Sequence, residues 1–148
     1  MATDGITDFP EGEMQTRRYE ALSTEHDILI TRVKGPIDAE TINSVTRSRF
    51  RCIMELDNSK IVSIIVFQKS MKVTADALEL FSKLLKSHKD RINKTIFVAY
   101  VVPLDVEDRL ISCKLFQEIY LRNGIPWQAF EKLEAAQIWA NSMLNVPT

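Results

Sequence analysis

Ile61-Val62-Ser63-Ile64-Ile65-Val66-Phe67, running into Gln68-Lys69-Ser70-Met71-Lys72-Val73-Thr74-Ala75-Asp76, is the stretch whose reading decides the fold. The first seven residues form a short, β-branched, almost wholly apolar run. Such a run reads as a strand covered on both faces, as in a parallel sheet. The spacing of Leu78, Phe81, Leu84, Leu85 and His88 then predicts a helix from about Thr74 to Arg91. In open α/β sheets, ligands and chemistry gather beyond the carboxyl ends of the strands. Residues 68–76 are therefore the first place to look for a site, although they hold no recognisable catalytic set.

Working outward, Arg18 to Ser23 and Ile28 to Val33 read as two strands, with the polar link Thr24-Glu25-His26-Asp27 suggesting an antiparallel hairpin. Gly35-Pro36 ends the second strand, and Asp38 is a good N-cap for a helix over roughly Ala39 to Leu56. Ile42, Val45, Arg49, Ile53 and Leu56 share its inward face. Ile96 to Val102 is a second continuous apolar run, stopped by Pro103. Asp105 and Asp108 open a third helix in this reading, with Leu110, Cys113, Phe116 and Tyr120 inward and Asn123-Gly124 as its stop. Ile125 to Phe130 is a short edge strand containing Pro126. Glu131 to Leu144 is the last helix, packed through Leu133, Ala136, Trp139, Ala140 and Met143.

The expected order is β-β-α-β-α-β-α-β-α, an α/β superhelix with a mostly parallel sheet of about five strands and right-handed crossovers. Residues 1–16 hold Asp4, Asp8, Glu11 and Glu13 with no Lys or Arg, and read as a flexible acidic arm before a single domain over residues 17–148. A length of 148 residues suits one domain, and 45% hydrophobic with 26% charged residues is ordinary globular composition. The net charge is −1; outside the arm, 19 basic residues face 16 acidic ones. So small an excess argues against a nucleic-acid partner. No apolar run approaches the ~20 residues of a membrane span, and the N-terminus lacks a secretory signal. Cys52 and Cys113 fall inside expected helices and read as reduced core thiols, so a cytoplasmic location is expected.

The element order, together with Val33-Lys34-Gly35-Pro36-Ile37-Asp38-Ala39-Glu40-Thr41 between second strand and first helix, resembles the STAS superfamily, whose members include bacterial anti-sigma-factor antagonists. Trp127-Gln128-Ala129-Phe130-Glu131-Lys132-Leu133-Glu134-Ala135-Ala136-Gln137-Ile138-Trp139 is similar to the closing segment of small bacterial SpoIIAA-like proteins. The resemblance covers roughly Arg18 to Leu144 in element order. It implies a non-catalytic regulatory module that binds a protein partner. One departure matters. The classical antagonists carry a phosphorylated serine, commonly after an Asp, at the start of the second helix. Here the comparable segment is Thr74-Ala75-Asp76-Ala77, and the nearby hydroxyls Ser70 and Thr74 lack the expected neighbours and read first as caps.

Other chemistry finds little footing. The chain has two histidines, His26 reading as solvated and His88 as packed or capping its own helix. Its four isolated glycines exclude the glycine-rich phosphate loops. Lys83, Lys86, Lys89 and Arg91 read as a solvated face, and Arg47, Arg49 and Arg51 diverge around a helix. No catalytic, cofactor or metal residues are assigned. The candidate interaction loop is Gln68, Lys69, Ser70, Lys72, Thr74 and Asp76, facing a protein partner. The alternative is a carrier of a small apolar, lipid-like ligand, as in related CRAL-TRIO-type domains, in a pocket lined by Leu78, Phe81, Leu85, Leu110, Phe116 and Tyr120. Ordinary core packing uses the same residues. The sheet edges are compatible with a homodimer, with Pro126 acting against open-ended pairing.

Overall fold

The computed structural model describes residues 14–20 and 27–145, of which 14–20 and 27 are described by backbone alone. Strands β1 (Met14–Glu20) and β2 (Asp27–Lys34) pair antiparallel. They are followed by α1 (Ala39–Glu55), β3 (Lys60–Gln68), α2 (Ala75–Lys89), β4 (Thr95–Val101), α3 (Arg109–Arg122), β5 (Trp127–Phe130) and α4 (Leu133–Leu144). The five strands lie in the order β1-β2-β3-β4-β5, with β2 to β5 mutually parallel. The chain is thus an α/β fold with the expected sequence of elements. β1 starts four residues before the expected Arg18 and takes in residues 14–16 of the expected arm. The rest of that arm and most of the hairpin link, with His26, lie outside the described residues.

The strand order never reverses. Crossovers of one hand then deliver successive helices to the same side, and α1, α2 and α3 share one core cluster with Leu29, Val33, Ile61, Ile65, Val98 and Tyr100. Only α4 lies on the other face, over Ile28, Ile30, Val62, Ile64, Ala99 and Val101. The strands alternate accordingly, odd residues of β3 toward α1–α3 and even ones toward α4. This explains why Ile61 to Phe67 is apolar at nearly every position: both faces are covered. Each such side chain contributes about 1.5–3 kcal/mol on full burial.

The helix ends obey local chemistry. The Asp38 carboxylate accepts from the Thr41 backbone N–H at 2.8 Å, capping α1. That bond, joined by the Thr41 side chain, holds the Asp38 carboxyl below its usual range. At the far end of α1, Lys94 Nζ donates to the carbonyls of Ile53 and Leu56, satisfying groups the helix leaves open. Thr74 caps α2 by accepting from Ala77 N–H at 3.3 Å.

Two helices differ from the sequence reading. α3 begins at Arg109, not after Asp105, and Asp108 precedes it in the left-handed region (φ 59°) without a side-chain cap. Its buried residues are Ser112, Phe116, Ile119 and Tyr120, while Leu110 is 74% exposed. Leu110 in the first turn falls outside the inward face set by Phe116 and Tyr120. α4 starts at Leu133, two residues later than expected, and buries Ala136, Ala140 and Leu144, with Trp139 and Met143 half-buried. Among the described residues no helix is long and apolar enough to cross a membrane.

Candidate functional site

Three loops meet at the carboxyl edge of the parallel strands, and they are bonded to one another. Gly35 N–H donates to the Gln68 carbonyl at 3.1 Å, and Ile37 N–H donates to the Lys72 carbonyl at 2.7 Å. Thr74 N–H returns to the Ile37 carbonyl at 3.3 Å. A Cβ on Gly35 would collide with the Ser70 carbonyl oxygen, so the close approach of the first two loops requires glycine here. The Gly35-Pro36 peptide bond is cis. The loop after β4 joins the set through a parallel bridge between Ser70 and Glu107. Met71 N–H donates to the Glu107 carbonyl at 2.9 Å, and Glu107 N–H donates to the Lys69 carbonyl at 3.0 Å.

Within this frame the expected interaction loop divides. Ser70 is 2% exposed; its hydroxyl donates to Glu107 Oε1 at 2.7 Å and accepts from Lys72 N–H at 2.9 Å. It ties two loops together instead of facing a partner. A phosphate on this oxygen would sit against a carboxylate, where like charges repel. Gln68 is half-buried with Oε1 enclosed and without a hydrogen-bond partner. Lys69, Lys72, Thr74 and Asp76 are exposed. Lys69 adopts φ 69°, so two non-glycine residues in the left-handed region, Lys69 and Asp108, flank the Ser70–Glu107 bridge. Each such backbone costs on the order of 1–3 kcal/mol and persists because the surrounding bonds over-determine it.

Sequence reasoning missed the apolar half of this edge. Leu104, Leu110 and Ile111 are 66%, 74% and 67% exposed, an unusual concentration for one loop and one helical turn. They border an open depression of ≈ 370 Å³ shared with Val106, Asp108 and Arg109. Arg109 and Leu110 also line an adjoining one of ≈ 210 Å³ that reaches Phe130 and Glu131. A third, of ≈ 300 Å³, runs from Val106 and Asp105 to Lys34, Gln68 and Lys69. The available signal was the Leu104 and Leu110-Ile111 pattern around acidic Asp105, Glu107 and Asp108. Assigning Leu110 inward concealed it.

The expected apolar pocket comes together only in part. Phe81, Leu85, Phe116 and Tyr120 are buried, Leu78 packs half-buried at the margin, and Leu110 lies outside. Their rings fill the space: Phe81 lies 5.2 Å from Phe116 and 5.4 Å from Tyr120, and Tyr100 lies 5.7 Å from Tyr120. Among the described residues a half-open cavity of ≈ 30 Å³ lies between α1, Phe81, Phe116 and the sheet. That is room for one or two water-sized molecules, not for an acyl chain.

Arg49 is the second residue the sequence reading undervalued. It occupies the inward stripe of α1 and is 2% exposed. Its Nε donates to Ser63 Oγ at 3.2 Å and its Nη1 to the Tyr120 hydroxyl at 3.2 Å. The Tyr100 hydroxyl donates to Tyr120 at 3.3 Å. Burial pushes the Tyr100 phenol well above its usual range. Two polar interruptions were visible in the chain, Ser63 within the β3 run and Arg49 within the α1 stripe, and they meet. A second arginine, Arg32, is 6% exposed, and its Nη1 has no hydrogen-bond partner.

His88 Nδ1 contacts the Leu84 carbonyl at 2.7 Å and its ring lies 4.9 Å from Phe50. Lys83 pairs with Glu79 at 3.7 Å on the exposed side of α2. Cys52 and Cys113 are free thiols, both pushed up chiefly by burial. Among the described residues no group of His, Cys, Asp and Glu could hold a metal ion. No family model, curated protein or solved structure matches this chain.

Proposed function

We propose that the chain is a non-catalytic, regulatory interaction module of STAS-like, SpoIIAA-like type that receives a protein partner on the carboxyl edge of its sheet. The observation that carries this reading is the exposed trio Leu104, Leu110 and Ile111 beside the charged, cross-bonded loop of Lys69 and Lys72. An apolar centre with a polar rim is the composition of a protein interface. Loops held by inter-loop hydrogen bonds need little ordering on binding, which lowers the entropic cost of association.

The regulatory switch of the classical antagonists has no counterpart in this reading. Ser70 is engaged by Glu107, and Thr74 serves as a helix cap. The carrier alternative draws no support from a half-open cavity of ≈ 30 Å³. Among the described residues, neither a crevice at a reversal of strand order nor a nucleophile with an adjacent base speaks for an enzyme.

The test is affinity capture from the source cells with three baits: wild type, Leu110→Glu/Ile111→Glu and Lys69→Glu/Lys72→Glu. Circular dichroism would first establish that all three fold alike. The expected outcome is at least one protein, confirmed by direct binding to the purified chain, that is recovered by wild type and lost from both variants. Identical recoveries from all three would sink the assignment of this edge.

A further inference from the structure

We propose that the chain forms a two-fold homodimer through the outer edge of β5 and the flank of α3 beside it. This goes beyond the partner reading, and the two surfaces share Leu110 alone.

The argument begins with the strand. Among the described residues β5 ends the sheet, with β4 as its neighbour. Val98 N–H donates to the Pro126 carbonyl and Val102 N–H to the Phe130 carbonyl. Alternate residues of a strand turn their main-chain groups to opposite sides. Pro126, Gln128 and Phe130 therefore face β4, while the N–H and C=O groups of Trp127 and Ala129 point away from the sheet. Such a row of outward groups is a template for another strand, and edges are commonly blunted by lysine, charge or proline. Trp127-Gln128-Ala129-Phe130 carries no charge. Pro126, expected to act against pairing, turns toward β4 and leaves the outer edge open.

The flank of α3 above this edge shows what fits there. Leu110 and Cys113 overlook Ala129 and Phe130 across the depression of ≈ 210 Å³. At helical spacing Gln117 and Leu121 continue the same flank as α3 runs back toward the start of β5. Leu110 and Leu121 are 74% and 54% exposed, and Lys114 and Glu118 are exposed along the rim. The stripe thus reads apolar, basic, acidic, apolar. A two-fold axis maps each half onto the other: Leu110 meets Leu121 of the second copy, and Lys114 reaches Glu118 of the second copy. An isologous contact requires this self-complementarity, which singles out a second copy as the occupant. The strands agree on the axis. Antiparallel pairing about Gln128 sets Trp127 opposite Ala129 of the second copy, and each such pair exchanges both N–H···O bonds. All the outward groups of Trp127 and Ala129 are then used, and the assembly closes at two chains.

Two short strands and one helix flank make a small interface, at or below about 1,200 Å², so a dimer that dissociates at micromolar concentration is expected. Sedimentation equilibrium of the full chain over about 1–500 µM should show the mass rising from one chain to two and levelling there. Amide exchange followed by NMR should slow at Trp127 and Ala129 as the dimer fills. Ala129→Pro removes an outward N–H and leaves the bonds to β4 in place. Leu121→Glu sets a charge against Leu110 of the second copy. Each should raise the dissociation constant by about tenfold or more, with circular dichroism unchanged. Lys114→Glu should weaken the dimer, and Lys114→Glu/Glu118→Lys should restore it. A single chain at every concentration would overturn the proposal, as would growth beyond two chains. So would a dimer indifferent to both Ala129→Pro and Leu121→Glu, or one whose Trp127 and Ala129 amides exchange as in the single chain. The mass and exchange measurements use the wild type, so they decide the matter even if a variant fails to fold.

Discussion

The two faces of the sheet are built by the same alternating strands, yet they are packed differently. Beneath α4 the fully buried residues are aliphatic, and the helix contributes two alanines, Ala136 and Ala140, and Leu144. Small residues let a helix sit close to the sheet, and the alternation of β2 brings one buried guanidinium, that of Arg32, to the same face. Beneath α1, α2 and α3 the layer is aromatic, centred on Tyr100, whose ring lies within 5.7 Å of Phe116, Tyr120 and Trp127. It also contains Arg49 and the cavity.

The sharpest way to break this comparison is to remove mass from one face and add it to the other. Phe81→Ala deletes a ring that touches both Phe116 and Tyr120, and should cost about 3–5 kcal/mol in urea denaturation. Ala140→Leu overfills the close-packed face and should cost about 1–3 kcal/mol. If Ala140→Leu costs nothing measurable, the α4 layer has room to spare and the contrast between the two faces is wrong.

A smaller effect tests whether the polar cluster acts as a unit. Tyr120→Phe takes the acceptor from both Arg49 and Tyr100 and should cost about 1–3 kcal/mol. In an Arg49→Met background the same change should cost clearly less, because no buried cation is then left without its partner. A double-mutant cycle measures the difference. Strict additivity would mean that the cluster is a set of neighbours and not a network.

The smallest effect lies at the rim, where α1 begins. Asp38→Ala should lose about 1 kcal/mol at pH 7 through the lost cap. The folded-state carboxyl sits below its usual range, so its contribution is present above that range and fades as pH falls through the folded value. Denaturation at pH 7 and at about pH 2.5 should show the gap between variant and wild type shrinking. A constant gap would place the stabilisation elsewhere than in the ionised cap.

Legibility followed the range of the interactions. The caps at Asp38 and Thr74, the covered strand β3 and the edge position of β5 were readable because each rests on contacts within a few residues or on a strict period. The orientation of α3 was not. It depends on where the chain re-enters helix after Asp108, and a shift of that start carries Leu110 outward and Ser112 inward. Ser70 was singled out as a loop hydroxyl, but its partner Glu107 lies 37 residues away. Arg49 was placed on the correct face of α1, while the oxygens that receive it come from β3 and α3.

By itself, then, the chain determined the alternation of strands and helices, because local propensity and hydrophobic period act over one element at a time. It also determined that Ile61 to Phe67 lies between two layers, since only a strand covered on both faces needs so unbroken an apolar run. Tertiary structure alone decided that Ser70 is locked to Glu107, that Leu104, Leu110 and Ile111 share one exposed edge, and that Arg49 is buried among the hydroxyls of Ser63 and Tyr120. Those outcomes depend on how rigid elements rotate against one another, and no single segment encodes that rotation.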